Sequence, residues 1–551
     1  MLNYSIENFT EEEENRLRPY FTNTDKPVFA LINLPEVVKG ALFARYSRSA
    51  KSLRRLFLDE FVDNLEPDKN EISDPTVGLK RAEKLYATVF SEYGDDSVAQ
   101  LGGVHLACEQ VSNLLTKILE RSRLMSYLEQ STRYIPYDMP LPSGKYRYYQ
   151  DREILESEFA SRYTQDMDSV FEIYHELLQK TIEYLTSKYY PGSEKTLPAA
   201  EMRAIRAYAL DLLRGILPIG TVSNMGIYGS GQAYEQLLLR LKASDLPEAR
   251  LYAEMIKEEL MKVIPSFLTR VDRDDRGGVW VDYLQNSRHL THKVAEELLG
   301  HHSDLGQKNI MPFIPATDIL KVKLISHDRD GEEKVLRAIL FATTDLGHED
   351  LERVIPLMTE AEKAAVFSAY VGKRSNRRHK PGRAFENSVY NFEIVSDYGA
   401  FRDLQRHRLL TIEWQQPDPN LGIHIPEEIE KSDLKDLYAK SVTLSTELYQ
   451  LLREQFPLQA IYTLPMAVNL RYYMTINARE LIHVAELRSM PQGHQNYRRI
   501  AQEMYRLTKE EAHHTYIAAA MEYVDFSEAV VGRLDAEQNF AKKQLGNDRS
   551  G

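Results

Sequence analysis

The 551-residue chain holds a single cysteine, Cys108, which excludes an internal disulfide framework and fits a reducing compartment such as the cytoplasm. Cys108 closes the apolar run Val104 to Cys108, where a small buried hydrophobe is expected rather than a nucleophile. No apolar run approaches the span of a bilayer. The amino terminus, with Glu11 to Glu14 in a row, lacks the basic-then-apolar order of a signal peptide. Basic residues are also short: 69 Lys and Arg against 82 Asp and Glu give a net charge of −13. That balance argues against long nucleic acid as the main ligand, because duplex binding neutralises many phosphates. A mononucleotide gripped by two or three arginines remains open. The one basic run, Lys373 to Lys380, is compatible with a solvated face, a phosphate-facing loop or a nucleic-acid patch.

Hydrophobic residues at 43% and charged residues at 27% describe an ordinary globular protein. The length alone would allow three or four domains, but an internal repeat lowers the expectation to two. Val28 to Asn33 is of strand type and precedes a helical run at Glu36 to Tyr46 and another within Ser47 to Asn64; Leu320 to Ser326 and Glu332 to Thr344 repeat that order. The run Leu114 to Leu119 leads into Arg121-Ser122-Arg123, as Tyr398 to Gln405 leads into Arg406-His407-Arg408. Upstream of these, Val104 to Tyr127 favours helix whereas Ser388 to Ser396 alternates like a strand, so the element types there stay open. The third match is clearest: Leu217-Pro218-Ile219 opens a segment ending in Leu239-Arg240, and Leu464-Pro465-Met466 one ending in Leu487-Arg488, with lengths differing by one residue. Three matches in the same order indicate duplication and fusion. Loop-like composition at Asp272 to Gly278 and Gly300 to Lys308 puts the boundary near residue 315, giving domains 1–315 and 316–551. Further helices are expected at Arg152 to Lys188, Pro247 to Lys262, Ser432 to Gln455 and Asn496 to Tyr523, making helix the majority element. The first-half insertion from Arg152 to Glu194 is expected to pack against the other half, and Tyr146, Tyr148 and Tyr149 to serve a turn or an interface.

Arg406-His407-Arg408 sets two fixed cations around a titratable imidazole beside an apolar run, an arrangement that calls for an anion or a cofactor. Together with Arg121 to Tyr134 in the first half, it resembles the Arg-His-Arg-x-x-Ser-x-Asn-Glu-x-Ser-x-Arg motif of the flavin-dependent thymidylate synthase (ThyX) family. The resemblance implies a helix-rich α+β fold of two tandem ThyX-like domains forming a pseudo-dimer. Each half keeps a different part of the motif.

In the second half, the resemblance assigns Glu386, Arg406, His407, Arg408, Asn477, Arg479, His483 and His494 to binding FAD, with Arg488 and Arg406 facing the uridylate. The chemistry suits these types, since a flavin dinucleotide needs cations and amide donors, and a uracil attacked through C5 needs a cation where charge develops. The rest of the motif is missing there: Thr411, Trp414, Gln416 and Asp418 replace its Ser, Glu, Ser and Arg, and Asp403 replaces a glutamine three residues before the Arg-His-Arg. Asp418 would repel a nucleotide phosphate.

The first half has the opposite profile. Ser126, Glu129, Ser131 and Arg133 match the nucleotide clamp, with Gln130 between them, and Ser47 matches a family serine near the flavin. Ser122 replaces the histidine, Leu128 the asparagine, and Gly229-Ser230-Gly231 the Asn-x-Arg segment. In the family the pocket lies between subunits of a homotetramer. The resemblance therefore implies one composite site per chain, formed by Glu129, Gln130, Ser131 and Arg133 against the catalytic pair Arg406 and Arg488, and a homodimer mimicking the tetramer. It also implies reductive methylation of dUMP to dTMP with methylenetetrahydrofolate and NADPH, using FAD, no metal and no protein nucleophile. Hydroxymethylation of a pyrimidine nucleotide, or a silent flavin- or nucleotide-binding protein, are the alternatives.

Overall fold

The computed structural model describes residues 7–46, 49–64, 100–192, 197–300 and 320–527. Ser47, the expected boundary near residue 315 and the polar tail after Leu534 lie outside them. The described residues form seven strands in two sheets among many helices, an α+β fold. No helix among them is long and apolar enough to cross a membrane.

The strands are β1 (Gly103–Ser112), β2 (Met125–Glu129), β3 (Val222–Ser230), β4 (Lys321–His327), β5 (Val389–Asp397), β6 (Leu410–Trp414) and β7 (Asn469–Asn477). The first sheet has the order β1-β3-β2 and the second β4-β5-β7-β6. Dropping β4 leaves the same topology twice, which resolves the element types left open by sequence. In each repeat a strand runs into a short helix (Asn113–Leu119; Tyr398–Leu404), then the arginine motif, then a short strand. In each, a later strand, β3 or β7, runs directly into a helix (Gly231–Lys242; Ala478–Arg488). Period-two burial explains β7: Leu470, Tyr472, Met474 and Ile476 all face the core.

One expected strand is absent. Residues 28–33 contribute only an isolated bridge between Phe21 and Leu31. Thr22 N–H donates to the Ala30 carbonyl and Ile32 N–H to that of Tyr20, so the stretch folds back on its own neighbours. Asn33 takes a left-handed φ of 54° and Val28 is exposed, so the apolar run does not extend into a sheet.

The chain divides into two compact units. One comprises Met1–Glu109, Ile118–Glu129 and Asn224–Lys308; it carries most of the first sheet, with Tyr234 donating to the Val104 and Ile227 carbonyls. The other comprises Gln110–Lys117, Gln130–Ser223 and Asn309–Gly551. Its core mixes residues of both sequence repeats, among them Tyr137, Phe171 and Leu210 with Phe392, Leu464 and Tyr472. The long helix Ala160–Tyr189, within the first-half insertion, packs there on Lys435–Leu452. The tyrosine cluster packs as well: Tyr146 stacks on Phe171, Tyr148 donates to Asp168 at 3.0 Å, and Tyr149 meets the Tyr462 ring.

Within this unit the two Leu-Pro segments meet reciprocally. Ile219 N–H donates to the Leu464 carbonyl at 2.7 Å and Met466 N–H to that of Leu217 at 2.9 Å. Gly220 N–H donates to Tyr462 and Ala467 N–H to Gly215, each at 2.7 Å. Every bond has its mirror in the other repeat, the pattern of an isologous two-fold contact written into one chain. Gly220 is required by it, because a Cβ there would lie 2.8 Å from the Tyr462 carbonyl oxygen. Gly220→Ala is therefore expected to destabilise the protein by about 1–3 kcal/mol, read as a lower urea midpoint at unchanged m.

Candidate functional site

The arginine motif is presented by a short, well-anchored helix. Asp397 caps Tyr398–Leu404 by accepting from Ala400 N–H at 2.8 Å, and its other oxygen accepts from Asn496 at 2.7 Å. Beyond the helix, His407 turns inward and is buried, while Arg406 and Arg408 face outward.

The environment of His407 fixes its protonation. Arg488 Nε–H donates to His407 Nε2 at 2.9 Å, and a guanidinium can only donate, so Nε2 is the acceptor and the proton sits on Nδ1. Nδ1 lies 2.9 Å from Glu480 Oε1, to which it donates. Burial pushes the imidazole down to about 4, the Glu480 bond opposing and Arg488 reinforcing the shift. Burial raises the Glu480 carboxyl, yet hydrogen bonds from His407 and His483 hold it at about 2. His407 is thus neutral beside a carboxylate. The potential ligand atoms of His407, Glu480 and His483 lie within 4.8 Å of one another, close enough for a metal ion. Arg488 argues against that use, since it keeps Nδ1 a donor.

The first repeat brings Arg133 to the same place. The turn before it is held by Ser131, whose Oγ accepts from Arg133 N–H at 3.2 Å and whose carbonyl accepts from Ile135. The Gln130 carbonyl accepts from Ser223 Oγ at 3.4 Å. Arg133 forks onto Asp211 at 2.6 and 2.8 Å and donates to the Tyr497 hydroxyl at 2.8 Å and the Gln492 carbonyl at 2.7 Å. Burial opposes its charge, but Asp211 holds its pKa above the ordinary arginine value. Arg133 and Arg488 share one ring, their guanidinium carbons 5.7 and 5.6 Å from the Tyr497 centroid. Asp403 stands beside them, 3.2 Å from Arg214 and 3.7 Å from Arg488. Burial would raise its carboxyl, but Arg214, Arg488, Arg406 and Arg133 together hold it far below the usual range.

The remaining expected ligands are placed as follows. Arg479 pairs with Glu386 at 3.2 Å and donates to the Pro381 carbonyl at 2.9 Å. Asn477 caps the helix Ala478–Arg488 through Glu480 N–H, and His494 caps Gln495–Glu510 through Asn496 N–H. Burial drives His494 well below the ordinary histidine value, leaving it neutral. Glu129 is buried at the end of β2, opposite Met225, in the other compact unit. Asp418 caps Pro419–Leu421. Cys108 is buried in β1, and burial raises its thiol to about 11, which suits an inert side chain.

Sequence reasoning missed Asp211, Arg214, Tyr497 and Glu480, and read Asp403 only as a lost glutamine. It also left open the role of the basic run. Arg374 is buried there, forked onto Glu486 at 2.6 Å to each oxygen and donating to the Ala520 carbonyl. This pair ties the run to the helix that carries Arg488.

The sequence pattern of the family described as "Thymidylate synthase complementing protein" matches residues 41–266 and 323–512, and the chain belongs to that family. A "UPF0159 protein" of Chlamydia muridarum is 37% identical over 96% of this chain and 98% of its own length. Another "UPF0159 protein", Ta1429 of Thermoplasma acidophilum, is 31% identical over 91% and 97%. A "Flavin-dependent thymidylate synthase" of Sulfolobus acidocaldarius is 29% identical over 34% of this chain and 71% of its own length. A crystal structure of the UMP/dUMP methylase PolB from Streptomyces cacaoi aligns with 40% of this chain and 99% of that chain at 18% identity and a TM-score of 0.31, too low to support a fold comparison.

A histidine whose pKa falls on folding binds its proton more readily when unfolded, so its stabilising contribution is complete above pH 6.5 and is lost as pH falls toward 4. Thermal midpoints of the wild type should fall more steeply across that window than those of His407→Gln. Glu486→Ala should leave Arg374 buried without its partner and destabilise by about 3–5 kcal/mol in chemical denaturation.

Proposed function

We propose that the protein is a flavin-dependent thymidylate synthase with one composite nucleotide site per chain, converting dUMP to dTMP with methylenetetrahydrofolate and NADPH. The observation that carries this reading is the convergence on the Tyr497 ring of Arg133, from the half that keeps the nucleotide clamp, with Arg488, held by His407 of the Arg-His-Arg motif in the other half. Arg133, His407 and Arg488 belong to one compact unit, while Glu129 of the clamp belongs to the other. Family membership and the flavin-dependent synthase relative support the same reaction class.

The donor set fits FAD in kind. Outward-facing Arg406 and Arg408 suit an anionic pyrophosphate, and Asn477, Arg479, Glu386 and His483 with the neutral His407 and His494 offer donors and acceptors for ring and ribose. FAD, when bound, supplies the redox chemistry that hydride delivery from NADPH and one-carbon transfer require. The protein's own part is electrostatic: Arg406 and Arg488 face the uridylate where negative charge develops, and neutral His407 holds the Arg488 side chain in place. No protein nucleophile is needed, in keeping with the inert Cys108. A dimer of chains would complete a tetramer-like assembly.

The test is mass-spectrometric product analysis with FAD, dUMP, NADPH and methylenetetrahydrofolate carrying a labelled one-carbon unit. Labelled dTMP that depends on FAD is expected. Arg133→Ala and Arg488→Ala should each lower turnover by about a hundredfold or more, while Arg240→Ala, in the first-repeat counterpart of the Arg488 helix, should spare it. Labelled hydroxymethyl product would replace methylation by hydroxymethylation. No product despite bound FAD and dUMP would identify a silent binder.

A further inference from the structure

Glu480 is a buried carboxylate whose close partners are histidines. Its side chain is 6% exposed, and among the described residues its ion-pairing neighbours are two imidazoles: His407 Nδ1 at 2.9 Å, and His483 Nδ1 at 3.3 and 3.4 Å from its two oxygens. Burying a carboxylate costs stability unless hydrogen bonds receive it, and an apolar side chain would fill the space without that cost. Its backbone is fixed as well, since Asn477 Oδ1 accepts from Glu480 N–H at 2.9 Å.

Glu480 and Arg488 stand near opposite ends of the helix Ala478–Arg488, about 12 Å apart along its axis. His407 bridges them, accepting from Arg488 at Nε2 and donating to Glu480 from Nδ1. The direction of this chain is set at both ends, because a guanidinium only donates and a carboxylate only accepts. Without the Glu480 end the ring is free to carry its proton on Nε2, and there it would meet the Arg488 N–H donor to donor. We infer that Glu480 is a positioning residue for the reaction, selecting the Nδ1–H tautomer of His407 so that Nε2 holds Arg488 toward the uridylate. The inference rests on the nucleotide site proposed above. Glu480 acts through the imidazole and not on the reacting atoms.

A double-mutant cycle on the full-length, FAD-reconstituted protein tests this, read by turnover to labelled nucleotide and by NMR of isotope-labelled histidine, which reports the ring nitrogen that carries the proton. Wild-type His407 should be protonated on Nδ1 alone, its signals assigned by their absence from His407→Gln. Glu480→Leu should lose that tautomer and lower kcat by about tenfold or more, because a catalytic group displaced by about 1 Å can cost a hundredfold. In the His407→Gln background, where an amide oxygen accepts from Arg488 without any choice of tautomer, the same substitution should change kcat by about twofold or less. Equal losses in both backgrounds would mark a merely structural role and overturn the inference, as would a Glu480→Leu protein that keeps the tautomer or the turnover. A wild-type ring protonated on Nε2 overturns it without any variant. Should Glu480→Leu not fold, Glu480→Asp, which draws the carboxylate back from Nδ1, carries the same expectations. Wild-type protein that makes no labelled nucleotide overturns the synthase reading and the inference together, whereas turnover that survives Glu480→Leu removes the inference alone.

Discussion

The reciprocal backbone pairing of Leu217-Pro218-Ile219 with Leu464-Pro465-Met466 is the contact on which the candidate site depends. Arg214 lies one residue before Gly215, whose carbonyl accepts from Ala467, and Asp211 lies one helical turn before that. The junction thereby delivers first-repeat side chains to the second-repeat motif. Backbone hydrogen bonds give it a register that side-chain packing alone would leave adjustable, and side chains such as Arg133 must be placed to within about half an ångström to serve a common ligand.

Charge is the second constraint. Each deeply placed cation described above has a carboxylate: Arg374 has Glu486, Arg133 has Asp211, and Arg214 and Arg488 share Asp403. Unpaired, such charges would cost several kcal/mol each. Histidines meet the same constraint differently, His407 and His494 staying neutral because burial disfavours the imidazolium and nearby arginines reinforce it. The result is a site whose fixed charges are arginines and carboxylates, with imidazoles serving as hydrogen-bonding spacers near neutral pH.

Much of this was legible in the chain. The helices at Glu36 to Tyr46 and Pro247 to Lys262 and the strand at Leu320 to Ser326 follow from local pattern, and the correspondence of the two Leu-Pro segments follows from the repeat. The resemblance to the family picks out His407, from the Arg-His-Arg motif, and Arg488, from the carboxy-terminal segment. What stayed hidden was decided by distant partners. Asp211 reads as an ordinary helix residue until Arg133 meets it, and Tyr497 as one more apolar position until two guanidiniums flank it. Asp403 was visible only as a departure from a pattern, because its meaning depends on Arg214, 189 positions away. Residues 28–33 failed as a strand because strand propensity says nothing of which neighbour the backbone will pair with.

The symmetry of the Leu-Pro junction has a consequence for how such a protein can change. In a dimer of identical subunits, a substitution in a self-complementary patch strikes twice, once on each side of the axis. In a fused chain it strikes once. Gly220 and Ala467 are mirror positions, and they already differ: Ala467 carries its methyl group, whereas the same group at Gly220 would run into the Tyr462 carbonyl. Fusion thus releases each copy from its twin, and inheritance can then load the two faces of one pocket with different chemistry.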